Sequence, residues 1–323
     1  MGGAIRAGVV GLGYFGSFHA RHYAAHPGAV LVGVVDADPG RASAAALAHG
    51  AEPFADHHAL IGRVDAVSVA VPTALHHRIA GELIDAGVHV LVEKPVTDTP
   101  DTARDLLERA DHACVLLQVG HIERFSATFA ALRERVAHPV MIDCLRAGPW
   151  TGRAADVDVV LDLMIHDIDL ALCLAGAPVE TVEASGIAVV SAQIDAAEAR
   201  IGFRNGVVAT LRASRVAPAV ERAIRVHEAD RTIVADLARG TLAVSRFAPR
   251  RDSLADYFAT QTIEIVPRDA LGAEIAAFVD GVASGGSGGV DGRAGLDALV
   301  VADLIRSKIT SSSNRRRLPS LEN

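Results

Sequence analysis

Five short aliphatic runs, at residues 5–10, 30–35, 66–71, 88–92 and 114–119, carry no polar alternation, and stretches with helical spacing separate them, as at 75–86 and 101–110. A strand reads as a continuous apolar run when both of its faces are buried, the condition of a parallel strand covered by crossover helices. The order β-α-β-α therefore predicts a doubly wound parallel sheet. The first run passes directly into Gly11-Leu12-Gly13-Tyr14-Phe15-Gly16. Between a strand and a helix each of these glycines has a purpose. Gly11 permits the tight turn, Gly13 lets backbone N–H groups approach a pyrophosphate at the helix N-terminus, and Gly16 lets the helix lie close to the strand.

Asp36 ends the second run, 20 residues beyond Gly16, where a carboxylate can accept hydrogen bonds from a ribose diol. A carboxylate there repels a 2′-phosphate, so NAD is expected and NADP disfavoured, with Arg41 nearby as a possible phosphate partner. Ligands of open α/β sheets sit at the carboxyl ends of the strands. That rule adds Pro72 and Thr73 after the third run, and Glu93 and Lys94 after the fourth, with Tyr14 and Phe15 of the glycine turn. His76 and His77 begin the helix beside Thr73; His76 is a candidate cofactor contact, and a solvent-facing or capping place is the alternative for both.

Beyond residues 123–136, which read as helix, the pattern changes to alternating segments at 140–145, 179–190, 197–203, 207–214, 223–227 and 232–237. Asn205-Gly206 between two of them signals a hairpin. A second, mostly antiparallel sheet follows, interrupted by a helix at 160–175 and closed by helices at 269–284 and 294–308. At 323 residues the chain is long enough for two domains: a dinucleotide-binding domain over 1–122, a substrate and oligomerisation domain over 123–310, and a polar tail over 311–323.

The 31 basic residues face 39 acidic ones, a balance that excludes a generic binder of nucleic-acid backbones. Residues 200–251 depart from it, with 11 arginines against four acidic residues. Those arginines line an outer sheet face or a subunit interface, and Arg215 is the first candidate for meeting a diphosphate. Cys114, Cys144 and Cys173 are too scattered for a disulfide framework or a zinc site, so no metal is expected and the compartment is reducing. No run of about 18 uncharged apolar residues occurs, which leaves a cytoplasmic protein with no membrane partner as the expectation. Only two of the 31 basic residues are lysine, Lys94 and Lys308. Where arginine replaces lysine almost everywhere, a retained lysine marks a place for a compact donor whose pKa can move.

Asp162 and His166 are four residues apart, so a helix presents them on one face, where an acid can hold and tune a proton-transferring imidazole. An ordinary helix-surface contact is the alternative. Together, the glycine turn, Glu93-Lys94-Pro95, and Asp162 and His166 with Asp169 resemble the fingerprints of the Gfo/Idh/MocA oxidoreductases in order and spacing over nearly the whole chain. The resemblance implies a Rossmann domain and an α/β domain with an open mixed sheet, used for a homodimer or homotetramer. It also implies NAD(P)-dependent oxidation of a sugar or cyclitol hydroxyl, with Lys94, Asp162 and His166 as the catalytic set. Asp169 either anchors its helix or contacts Lys94.

Residues 118–125, 161–169 and 213–215 further resemble a branch that oxidises the 3-hydroxyl of UDP-N-acetylglucosamine. Glu123, Arg124, Asp162 and Arg215 are its candidate substrate contacts. Inositol dehydrogenases typically carry arginine at the position of Glu123, which favours a nucleotide sugar here. A free sugar, a cyclitol or a dihydrodiol is the alternative substrate, and a non-catalytic dinucleotide-binding regulator is the third reading.

Overall fold

The computed structural model of the chain describes residues 3–152, 157–247, 258–286 and 289–315. It divides into two compact units, Met1–Phe125 with Asp269–Leu299, and Ser126–Arg268 with Val300–Asn323.

In the first unit six parallel strands, β1 (Ile5–Val10), β2 (Ala29–Val35), β3 (Glu52–Phe54), β4 (Ala66–Val69), β5 (His89–Glu93) and β6 (Leu117–Gly120), lie in the order β3-β2-β1-β4-β5-β6. The chain steps outward from β1 to β3, then crosses back to β4 on the other side of β1. That reversal opens a crevice at the carboxyl ends of β1 and β4. The connecting helices are α1 (Tyr14–Ala25), α2 (Pro39–His49), α3 (His76–Asp85) and α4 (Pro100–Ala113). Local chemistry sets their ends. Asp38 accepts from Gly40 and Arg41 N–H to cap α2 behind Pro39, and Thr99 does the same for α4 behind Pro100. The run at 114–119 starts late as a strand, because Cys114 ends α4 in a left-handed turn (φ 54°) whose N–H bonds back to Ala110 and Asp111.

Residues 269–299, expected in the second domain, belong to the first unit. On α7 (Ala270–Ser284), Leu271, Ile275, Phe278 and Val279 join Ala7, Val9, Tyr23 and Leu31 in one buried cluster. An apolar helix face that covers the parallel sheet beside α1 is worth more there than on a sheet already served by its own helices.

The second unit holds eight strands: β7 (Met141–Ala147), β8 (Val179–Ile187), β9 (Ala196–Phe203), β10 (Val208–Ser214), β11 (Glu221–His227), β12 (Arg231–Asp236), β13 (Thr241–Phe247) and β14 (Phe258–Glu264). Their order is β14-β13-β12-β11-β7-β10-β9-β8, antiparallel throughout except for β7 with β10. Asn205-Gly206 does turn β9 into β10, with Gly206 at φ +85°. Along β10, Ala209, Leu211 and Ala213 are buried while Arg212 is exposed; Arg200 on the neighbouring β9 and Arg225 on β11, two strands away, are exposed as well. One face is thus core and the other an open, arginine-bearing surface.

Of the helices, 123–136 resolves into a 3₁₀ turn (Ile122–Phe125) and α5 (Ala127–Arg133), because Ser126 caps α5 at the Phe129 N–H and breaks the run. The expected helix at 160–175 begins as a π-helical turn (Val160–Met164) before α6 (Ile165–Ala175). The final helix, α8 (Gly292–Arg315), runs on into the segment expected as tail; residues 316–323 of that tail lie outside the described residues. No helix among the described residues is long and apolar enough to cross a membrane.

Candidate active site

The glycine turn is built as its spacing requires. Gly11 has φ +89°, and a Cβ there would lie 2.5 Å from the Ala70 carbonyl oxygen; one on Gly16 would lie 1.8 Å from the Gly11 carbonyl oxygen. Both positions are closed to any side chain. A Cβ on Gly13 would meet nothing within 4 Å. Packing therefore does not explain Gly13, whereas close approach by a ligand does. Gly13 caps α1 without a side-chain partner, leaving the first-turn N–H groups of α1 to an anion.

Gly11 and Gly13 line a cavity of about 530 Å³ at the carboxyl ends of β1, β2 and β4, with Asp36, Arg41, Pro72, Asp56, His57 and Arg78 among its other walls. Asp36 is 8% exposed. Its Oδ2 accepts from the Leu12 N–H at 2.7 Å and its Oδ1 from the Asp38 N–H at 2.8 Å, so the residue expected to bind ribose also pins the glycine turn. Arg41, half exposed, reaches Asp36 Oδ1 at 3.1 Å. The residues present fit a dinucleotide: an open cradle, anion-ready N–H groups and a carboxylate one strand away.

Tyr14 and Phe15 open α1, both exposed, with their rings edge to face. Thr73 starts a 3₁₀ turn (Thr73–Leu75) capped by Pro72. The cofactor contact expected of His76 is not what the structure gives it. The ring is 1% exposed, with Nδ1 at 2.9 Å from the Pro95 carbonyl and Nε2 at 2.8 Å from that of Val71. His76 braces two strand-end loops from behind, and burial holds its pKa below the ordinary value. His77 takes the Asp105 carboxylate at 2.6 Å, on the outside of the unit.

Glu93 ends β5, and Lys94 leads into Pro95 through a cis peptide bond. Burial pushes the Glu93 carboxyl up, but the hydrogen bond from His19, with the charge of Lys94, outweighs it and holds the group below the usual carboxylate range. Glu123 and Arg124 lie together in the 3₁₀ turn that follows β6, both partly buried.

Asp162 and His166 belong to the second unit. A π turn carries about 4.4 residues against the 3.6 of an α-helix, so residues four apart straddling the junction still share a face, and both are partly buried. Two anchors hold this segment. Asp158 Oδ1 accepts from the N–H groups of Val160 and Leu161 while its Oδ2 meets Arg306 Nε at 2.6 Å. Buried Asp167 takes Arg146 Nη2 of β7 at 2.8 Å. Asp169 is also buried within α6.

Arg215 is buried in the second unit. It is 5% exposed and its guanidinium is committed: Nε to Asp195 at 2.8 Å, Nη1 to the Val157 carbonyl at 2.7 Å and Nη2 to Ser191 Oγ at 3.0 Å, with the Trp150 ring 4.8 Å away. Three of its five N–H donors are thus spent on a buried carboxylate, a carbonyl and a hydroxyl, so the side chain braces the fold around Asp195. Conversely, His57 and Arg78 line the nucleotide cavity although no motif marks them. The cue available was position, since His57 follows a strand end; β3, only three residues long, hid it.

Two family models match the chain. One, described as the oxidoreductase family with NAD-binding Rossmann fold, covers residues 5–121, and the GFO/IDH/MocA C-terminal domain covers 117–234. The chain is 35% identical to UDP-N-acetylglucosamine 3-dehydrogenase of Acidithiobacillus ferrooxidans over 96% of its own length and 99% of the relative's. It is 29% identical to myo-inositol 2-dehydrogenase of Thermotoga maritima, over 92% of its own length and 94% of that enzyme's. The solved structure of the Acidithiobacillus enzyme superimposes with a TM-score of 0.90, covering 95% of this chain and 98% of that one. A levoglucosan dehydrogenase in complex with NADH and levoglucosan shares the fold at a TM-score of 0.85 and 20% identity, over 95% of this chain and 98% of that one.

Proposed function

The chain belongs to the GFO/IDH/MocA family of oxidoreductases, and from that premise we propose that it is an NAD-dependent dehydrogenase of a nucleotide sugar, oxidising UDP-N-acetylglucosamine at its 3-hydroxyl. The observation that carries the reading is likeness to such an enzyme over nearly the full length of both chains. The inositol dehydrogenases are related too, at lower identity. A secondary hydroxyl of a free sugar or cyclitol is therefore the second reading.

A dinucleotide, when bound, would supply the hydride acceptor. Gly13 and the N–H groups opening α1 would hold its pyrophosphate, and Asp36 its ribose diol. Asp36 at the ribose position is the group that selects against a 2′-phosphate, which favours NAD. A hydroxyl that gives up a hydride must also give up its proton, so an acceptor and a cationic donor have to meet one oxygen. His166 takes that proton on an imidazole nitrogen. Lys94 donates from Nζ to the same oxygen and favours its anionic form, and Asp162 orients the imidazole or the sugar. Glu123 and Arg124 contribute to the sugar side. The open face of the eight-stranded sheet, with Arg200, Arg212 and Arg225 exposed, is the surface for self-association into a dimer or tetramer. The test is NAD⁺ reduction, or sugar-stimulated exchange on tightly held NADH, across nucleotide sugars, free glucose and myo-inositol.

A further inference from the structure

Behind Glu93, buried side chains from two other elements form one hydrogen-bonded chain. Tyr23 Oη lies 2.8 Å from Ser68 Oγ, which lies 3.0 Å from His19 Nδ1, and His19 Nε2 lies 3.0 Å from Glu93 Oε1. His19 is 1% exposed, and Tyr23 and Ser68 are fully buried, so water does not compete for these bonds. Donor chemistry gives the chain a direction. The ionised Glu93 carboxylate can only accept, so His19 presents its Nε2–H to it. Nδ1 of the neutral ring then accepts from the Ser68 hydroxyl, which in turn accepts from the Tyr23 phenol that burial keeps protonated.

We propose that His19 is a positioning residue: fixed in one tautomer by Tyr23 and Ser68, it keeps Glu93 ionised and in place, and Glu93 in turn sustains the positive charge of the adjoining Lys94. The inference rests on the reading of Lys94 as the donor to the reacting oxygen. Other groups face the same spot. Lys94 and, from α3, His76 act on Glu93; Glu274 of α7 acts on Tyr23, and its carboxylate lies within 4.8 Å of the ligand atoms of His19 and Glu93; His22 follows His19 on α1 and faces Asp269. His19 Nε2 meets Glu93 Oε1 directly, at 3.0 Å. Without it burial favours the protonated form of Glu93 more strongly, and the negative charge beside Lys94 weakens. An ammonium deprived of an adjacent anion deprotonates at lower pH.

The experiment compares kcat–pH profiles and NADH affinity for wild type, His19→Ala, His19→Gln, Tyr23→Phe, Glu93→Gln and the double variant His19→Ala/Glu93→Gln. His19→Ala is expected to lower kcat by about 10²-fold through misplacement. Its basic limb should move to lower pH by about one unit or more. Glu93→Gln should move the limb the same way, and the double variant no further than Glu93→Gln alone. His19→Gln, which restores a donor without the imidazole, should recover part of kcat, and Tyr23→Phe, which only removes the terminal donor, should shift the limb in the same direction by less. A basic limb unmoved in His19→Ala and His19→Gln overturns the proposal even where kcat falls, because a merely structural residue would lower the rate without shifting the profile. Nitrogen NMR of the protein labelled with ¹⁵N-histidine reads the chain with no substrate present. A proton on Nε2 and a bare Nδ1 at His19 are expected, and a proton on Nδ1 overturns the proposal whatever the sugar assay shows.

Discussion

Gly13→Ala separates binding from folding more cleanly than any other single change in this chain. Gly13 has φ −66°, which alanine adopts freely, and a Cβ would meet no atom within 4 Å. Folding stability should therefore stay within about 1 kcal/mol of wild type, with any gain coming from reduced freedom of the unfolded chain. The methyl group fills the space left for a pyrophosphate and removes at least one charge-assisted N–H bond to it, a loss of about 1.5–3 kcal/mol. At about 1.4 kcal/mol per decade, NADH should bind roughly 10- to 150-fold more weakly. Gly16→Ala is the opposite case: its Cβ would lie 1.8 Å from a backbone oxygen, so helix or strand must move. Overpacking of that kind costs about 1–3 kcal/mol, visible as a lower melting temperature. The assay is NADH fluorescence titration beside thermal unfolding of both variants. Wild-type NADH affinity in a folded Gly13→Ala protein would refute the placement of the pyrophosphate at the start of α1.

Four further outcomes follow from the site and its supports. His166→Ala should reduce turnover by about 10²–10⁴-fold with little change in NADH binding, as measured by steady-state kinetics and titration; Lys94→Arg, which keeps the charge and alters the donor geometry, should also lose most turnover. Removing one partner of the buried Arg146–Asp167 pair, as in Asp167→Ala, should cost about 3–5 kcal/mol in denaturant unfolding, because a guanidinium in the core loses its bidentate carboxylate. Burial pushes the Asp195 carboxyl up, but hydrogen bonds from Val189, Ser191 and Val190 outweigh it and hold the group well below its usual range. Its contribution is therefore full above the unfolded value of about 3.9 and is lost as pH falls through the folded one, so Asp195→Asn should flatten the loss of stability below about pH 4.

The glycine turn, Asp36 and the parallel strands were legible because each rests on local chemistry: a run buried on both faces looks continuous, and a turn that excludes Cβ shows as glycine. What escaped the sequence is non-local. β13 and β14 read Thr-Leu-Ala-Val-Ser-Arg-Phe and Phe-Ala-Thr-Gln-Thr-Ile-Glu, edge-side strands whose apolar residues are too few to declare a face. The amphipathic face of α7 announces burial but not which sheet receives it. Arg215 and His76 were singled out by chemistry that suits ligands, yet the partners that occupy them, Asp195 and the Val71 and Pro95 carbonyls, arrive from other strands and loops. The same holds for His19, whose partners Ser68 and Glu93 stand 49 and 74 residues away.

The central claim is the substrate, and NAD⁺ reduction by the purified protein tests it most directly when UDP-N-acetylglucosamine, UDP-glucose, free glucose and myo-inositol are compared at equal concentration, each with exchange on bound NADH as a second readout. The proposed function predicts the highest kcat/KM, or the fastest exchange, with UDP-N-acetylglucosamine, and its loss in His166→Ala. Turnover of glucose or myo-inositol with no response to either nucleotide sugar would contradict it.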